Sequence, residues 1–355
     1  MSLKESSLRK GGGAGRSIAL DYAKGLGIVI VVFAHLWRGL QGAGLLEGVS
    51  QDTFIAVSAL ATMLSMPAFF FASGFLYGKG VDRRHGLKEF LGKVDAILYP
   101  FIVWTILIGL VECLTSGVRN GSSSLTSVAM SLVWPSGIFW FLAALILAFG
   151  VCELVIAVAG VRVFRWLVLP LALLMLAFWS PDPLPFAMRD LQLSFIYFAL
   201  GVLLSGRFSL AQSPSLGRTL AFVFLMALVY WLIHQNEDFR THSFRSVTPN
   251  ALAFSLAFLA LFYGFCLSLP ASGLKPLLTL GERSMDVYLI HLLFIGGCRI
   301  LLQKVVGLDS AIIVGAVSLV VGIWGPLVLV DLLKRWGLGW LFAPPKALSA
   351  KGMVV

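Results

Sequence analysis

Residues 17–38 read SIALDYAKGLGIVIVVFAHLWR, and this run decides the class of the chain. A spanning helix needs about 20 mostly apolar residues. This run supplies them, yet it also carries Asp21, Lys24, His35 and Arg38. Ionisable groups inside hydrocarbon are costly unless they face protein or water, so the run reads as a membrane helix inside a bundle. On a helical wheel Lys24 and His35, eleven positions apart, differ by about 20° in azimuth and by roughly 16 Å along the axis. Asp21 and Arg38 fall within about 60° of that direction, so the four share one side of the helix. Such a stripe is expected to line a polar channel or cleft. The alternative places Asp21 and Lys24 at an interface, has Arg38 snorkel outward, and makes His35 a hydrogen-bonded packing residue.

The rest of the chain repeats the apolar pattern. Of 355 residues 59% are hydrophobic and only 12% charged, with a mean hydropathy of +0.92, which excludes an ordinary soluble domain. Apolar windows predict spans near 17–38, 54–78, 97–116, 138–158, 163–180, 189–205, 217–235, 250–269, 285–303 and 310–333. The expectation is an all-α polytopic protein of about ten spans, with a tail at 1–16, one transmembrane domain at 17–333 and a second tail at 334–355. The spans near 138–158 and 163–180 are separated only by Ala159 to Arg162.

The net charge of +10 is read as a topology code and not as a nucleic-acid signal, because basic loops stay cytoplasmic. With both termini inside, nineteen of the 27 Lys and Arg fall on inner segments, five on outer loops, and Lys24, Arg38 and Arg299 within spans. Cytoplasmic termini are therefore expected. Cys113, Cys152, Cys266 and Cys298 lie in apolar runs without paired spacing, so neither a disulfide framework nor a metal site is expected. The leader Gly11 to Gly15 follows no strand and lacks the Lys-Ser/Thr ending of a phosphate loop, so it reads as a flexible tail.

Four segments carry a resemblance. Asp21-Tyr-Ala-Lys24-Gly with His35, Met66-Pro-Ala-Phe-Phe-Phe-Ala-Ser-Gly-Phe75, Phe139-Trp140-Phe-Leu142 and Val287-Tyr288-Leu-Ile-His291 occur in order and at span positions. Together they resemble the acyltransferase family 3 membrane O-acyltransferases over almost the whole chain. The resemblance implies a ten-span enzyme of the bacterial inner membrane. It would take an acyl group, with acetyl the expected one, from cytoplasmic acyl-CoA and deliver it to a hydroxyl on a periplasmic or cell-surface glycan or glycolipid. It also implies that His35 is essential, with Lys24 standing where the family usually has Arg. The family's paired arginines before the third span would align with Lys93 and Ala96, so the second cation is missing and Arg83, Arg84 or Lys88 is left to substitute in holding CoA. That basic loop is otherwise explained by topology and anionic lipid.

CoA phosphates cannot cross hydrocarbon, whereas the pantetheine arm can enter a narrow passage. The expected arrangement puts Lys24 near the cytoplasmic mouth against acyl-CoA and His35 toward the outer side as general base. An acyl-histidine intermediate is the competing chemistry. Arg38, Trp140, Tyr288 and His291 are candidates for binding the acceptor, and structural alternatives stand beside them. For His291 the alternative is a structural hydrogen bond, and for Trp140 an interfacial anchor. Glu112, Glu153 and Asp331 receive no role. The loop Asn236 to Arg245, which contains His242, is a possible acceptor surface. The rivals from other classes are a transporter or flippase using a Lys24/His35 relay, and a glycan polymerase.

Overall fold

The computed structural model describes residues 17–115, 124–135, 137–180, 182, 184–208, 210–234, 249–271 and 274–353. The Gly11 to Gly15 leader and the loop Asn236 to Arg245 lie outside the described residues. Every regular element among those described is a helix.

Helix α1 (Ile18–Gly42) is the first apolar run. It is followed by α2 (Gln51–Gly80), whose start is capped by the Ser50 hydroxyl accepting from Thr53 N at 3.2 Å. Helix α3 (Leu87–Leu114) contains a π turn over Val94–Leu98 immediately before Pro100. Proline has no N–H to offer the preceding turn, so a discontinuity falls there. Next come the short α4 (Leu125–Val133) and α5 (Trp140–Ala177). They are followed by α6 (Met188–Leu204), α7 (Leu216–His234) and α8 (Pro249–Ser268). The short α9 (Lys275–Glu282), α10 (Ser284–Ile300) and α11 (Ala311–Arg335) complete the set.

By length and composition, eight of the described helices can cross a membrane. The expected spans 138–158 and 163–180 fall within the single 38-residue α5, which is broken at Gly160 by a non-helical φ of 78° and ψ of 162°. Only glycine adopts such angles without strain, so the break sits inside the separator that the sequence marks. The span expected near 217–235 falls in α7, whose apolar run Leu216–Leu232 is shorter than the eight. Helices α4 and α9 are additional to the expected windows.

Helix α1 is the axis of the bundle, packed by α2, α8, α9, α10 and α11. Its buried side includes Tyr22, Ile28 and Val32, none of them exposed. Large apolar side chains turned outward, such as Val158 at 81% and Ile312 at 83% exposure, form the surface that lipid covers. Helices α2 and α6 cross closely, because Gly74 and Gly201 let the two backbones meet. A Cβ on Gly74 would lie 2.8 Å from the Phe198 carbonyl carbon, and one on Gly201 2.7 Å from Phe75 N. After α11 the chain turns back onto α3. Trp104 Nε1 donates to Leu341 O at 2.9 Å, and Asp95 accepts from Ser349 Oγ and Ala350 N, both at 2.7 Å, and from Lys351 N at 3.1 Å.

Candidate active site

The four ionisable residues of α1 form two i,i+3 pairs, one at each end of the helix. At the first end Lys24 Nζ lies 2.9 Å from Asp21 Oδ1. Helix α9 closes tightly over this turn, since a Cβ on Gly25 would meet Leu277 and one on Gly281 would meet the Asp21 backbone. Close by in sequence, Arg283 pairs with Asp286 at 2.9 Å and Asp331 at 2.7 Å. Partial burial works against the guanidinium's charge, but the hydrogen bonds and charges of Asp331 and Asp286 outweigh it and raise the Arg283 pKa above its ordinary value. Asp286 and Asp331 are thus structural partners of one arginine.

The basic loop after α2 is pinned by a carboxylate for which sequence reasoning found no role. Glu153, buried in α5, accepts from Tyr77 Oη at 2.9 Å and from Gly86 N at 2.6 Å. Arg165 adds an ion pair to Asp82 at 2.8 Å. Arg83, Arg84 and Lys88 remain exposed on this loop. Lys93 is instead half-buried, with its ammonium 4.9 Å from the centre of the Phe149 ring.

The other end of α1 holds His35 and Arg38, and here the segments quoted from the sequence converge. The His35 and His291 rings lie 5.3 Å apart between centroids. Tyr288 is 6.2 Å from His291 on the same helix and donates its hydroxyl to Ile138 O. Phe141 packs its edge on Tyr288 at 5.6 Å and on Phe70 at 5.1 Å. Residues of α1, α2, α5 and α10 that are far apart in sequence thus share one aromatic cluster.

Hydrogen bonding assigns the histidine tautomers. His291 is fully buried and its Nδ1 lies 2.8 Å from Tyr288 O and 3.2 Å from Val287 O. Carbonyls only accept, so Nδ1 carries the proton and the Nε2 lone pair is left, buried and without a partner among the described residues. His35 Nδ1 lies 3.4 Å from Arg38 Nη1, and a guanidinium only donates, so in this state Nδ1 is the acceptor. At that length the contact is weak and open to replacement by another donor.

Beside His35 lies a cavity of about 560 Å³. His35, Arg38 and Trp140 line it, together with residues of the first half of α2 and the beginnings of α6 and α8. Among these is Asp190, a buried carboxylate that sequence reasoning missed. Its place beside Arg189 at the start of an apolar run reads as an interfacial charge. The available signal was its spacing from Ser194 and Tyr197, which puts all three on one helical face. Tyr197 of α6 and Ser255 of α8 also line the cavity. Asp21, Lys24, Tyr288 and His291 are not among the lining residues. Among the described residues no group of three or more His, Cys, Asp or Glu converges as a metal site, and the four cysteines are free thiols.

A family model described as an acyltransferase domain, that of acyltransferase family 3, matches residues 17–331. No curated protein and no solved structure matches the chain. The match covers most of the chain, which therefore belongs to that family and is a multi-pass membrane acyltransferase.

Proposed function

We propose that this member of acyltransferase family 3 moves an acetyl group from cytoplasmic acetyl-CoA to a hydroxyl of a periplasmic or cell-surface glycan or glycolipid. The observation that carries the reading is the position of His35, a titratable ring inside an apolar bundle that borders a ligand-sized cavity and lies against a second buried imidazole. With both termini cytoplasmic, as the Lys and Arg distribution favours, the Lys24 end of α1 faces the cytoplasm and the cavity faces the far side of a bacterial inner membrane.

In this reading His35 Nδ1 takes the proton of the acceptor hydroxyl in place of the weak Arg38 contact. The hydroxyl oxygen attacks the thioester carbonyl, a C–O bond forms, the C–S bond breaks, and CoA leaves as a thiolate that takes up a proton. Arg38 and the ring of Trp140 lie where they can hold the acceptor. His291 packs its ring against His35 and holds that ring in place, and Tyr288, bonded to Ile138 O, fixes the same helix against the start of α5. Lys24 is held by Asp21 at the opposite end, where it is half-buried and within reach of an anionic substrate. Arg83, Arg84 and Lys93 add positive charge for the CoA phosphates on the same side. The two ends are about 16 Å apart along α1, a distance for the pantetheine arm to bridge.

The test separates binding from chemistry in the full chain reconstituted in nanodiscs. His35→Ala is expected to bind acetyl-CoA as wild type does and to lose transfer by about a hundredfold or more, whereas Lys24→Ala weakens acetyl-CoA binding. Equal acetyl-CoA affinity in wild type and Lys24→Ala would remove Lys24 from the site. Passage of unmodified glycan with no thioester turnover would replace the enzyme reading with a transporter.

A further inference from the structure

The walls of the cavity have a chemistry of their own. On α2, Ser58, Thr62 and Ser65 line it at intervals of four and three residues. On α6, Asp190, Ser194 and Tyr197 do the same. That spacing puts each trio on one helical face, so two polar stripes inside otherwise apolar helices border one space. Polar groups at membrane depth are retained when they meet protein, water or a ligand. Thr62 Oγ1 donates to Ser58 O at 2.9 Å and Ser65 Oγ to Ala61 O at 2.7 Å, which turns the lone pairs of both hydroxyls outward as acceptors. Ser58 Oγ is buried without a hydrogen-bond partner among the described residues.

We infer that this cavity is the acceptor subsite and that it takes an uncharged sugar ring, whose hydroxyls donate to the Asp190 carboxylate and to the serine and threonine oxygens while accepting from Arg38. The inference rests on the acyl-transfer reading above, because His35 borders the same space. A sugar hydroxyl both donates and accepts, which is what walls of this mixed character demand. An acyl chain would leave the buried Ser58 hydroxyl, which has no hydrogen-bond partner among the described residues, facing hydrocarbon. One carboxylate and one guanidinium on the same cavity cancel in net charge, so a polyanionic acceptor meets Asp190 and an aminosugar cation meets Arg38. The volume of about 560 Å³ lies inside the range of roughly 300–1,000 Å³ usual for small-molecule sites.

The experiment uses wild type, Asp190→Asn, Asp190→Glu and Ser194→Phe as full chains in nanodiscs. The acceptor is envelope glycan from cells lacking the gene, and the donor is radiolabelled acetyl-CoA. Three quantities are read: acetyl-CoA affinity, the glycan KM, and the sugar that bears the ester in wild-type product, located by NMR. Asp190→Asn and Ser194→Phe should raise the glycan KM by about tenfold or more with acetyl-CoA affinity unchanged, Asp190→Glu should recover part of the loss, and the ester should lie on an uncharged sugar. An unchanged glycan KM in Asp190→Asn and Ser194→Phe overturns the inference. So does an ester confined to uronic acids or free aminosugars, a result that needs no variant to fold. Wild type that neither turns over acetyl-CoA nor labels glycan defeats the acyl-transfer reading itself, which is a separate outcome.

Discussion

Replacing Gly74 by alanine adds one methyl group at the α2–α6 crossing, and the structure sets its cost. The new Cβ would stand 2.8 Å from the Phe198 carbonyl carbon and 3.0 Å from its Cα, with the carbonyl oxygen nearer still. Carbon atoms in contact normally lie about 3.5–4.0 Å apart, so the helices must separate by roughly 1 Å. The obstacle is backbone and cannot rotate away. Gly78 against Val202 and Gly201 against Phe75 share the same crossing and lose contact together. Overpacking of this kind costs about 1–3 kcal/mol, and alanine's better helix propensity returns about 1 kcal/mol. We expect a net loss of about 2 kcal/mol, taking the upper part of the overpacking range. Gly39→Ala in α1 is the control, because nothing lies within 4 Å of its added Cβ; it should gain up to about 1 kcal/mol. Unfolding in detergent, followed by tryptophan fluorescence, compares the two. Since the polar trios of the cavity sit on α2 and α6, Gly74→Ala should also impair transfer to glycan more than acetyl-CoA binding. A Gly74→Ala protein as stable as wild type would refute the close-packed crossing.

Glu153→Leu leaves Tyr77 Oη and Gly86 N without their acceptor and should cost about 2 kcal/mol or more in the same unfolding assay; adding Tyr77→Phe should recover part of it, and a neutral single variant would show that the carboxylate does not pin the loop. Asp95→Ala removes the acceptor of three hydrogen bonds from Ser349, Ala350 and Lys351. Tryptic cleavage at Lys346 and Lys351 should then accelerate by about tenfold, and unchanged cleavage would count against docking of this segment on α3. His291→Phe keeps the volume of a buried ring but removes both nitrogens; kcat should fall by about tenfold or more with acetyl-CoA affinity unchanged, and a wild-type kcat would make the second ring packing alone.

The membrane class was legible because it depends on composition alone, and each expected apolar window overlaps a helix. What composition cannot mark is a helix that does not need to cross. Helix α9 has eight residues, and its position is fixed by tight approach to α1 at Gly25 and Gly281, a tertiary contact with no local signature. The break in α5 shows the reverse case. Gly160 lies in the separator Ala159 to Arg162, yet the helical signal on both sides is strong enough that the chain turns at one residue and forms no loop. Gly74 stands in the Met66 to Phe75 segment, and the reason for glycine there is the Phe198 backbone opposite, more than a hundred residues away in the chain.

The helical wheel of α1 was sound as geometry and incomplete as chemistry. Two i,i+3 pairs separated by one eleven-residue interval fall on a common side whatever surrounds them, so shared azimuth says that a polar stripe exists and nothing of what faces it. The structure gives the two pairs different neighbours. Asp21 and Lys24 meet each other under α9, while His35 and Arg38 meet a cavity walled by α2, α6 and α8. Asp190 completes that cavity, and it escaped notice because a charge at the start of an apolar run looks interfacial in one dimension. Only the opposing Ser58, Thr62 and Ser65 on α2 give it a setting. On the proposed function the donor end would be charge-rich and the acceptor end hydroxyl-rich, and a single polar face on α1 is compatible with both because the discriminating residues belong to other helices.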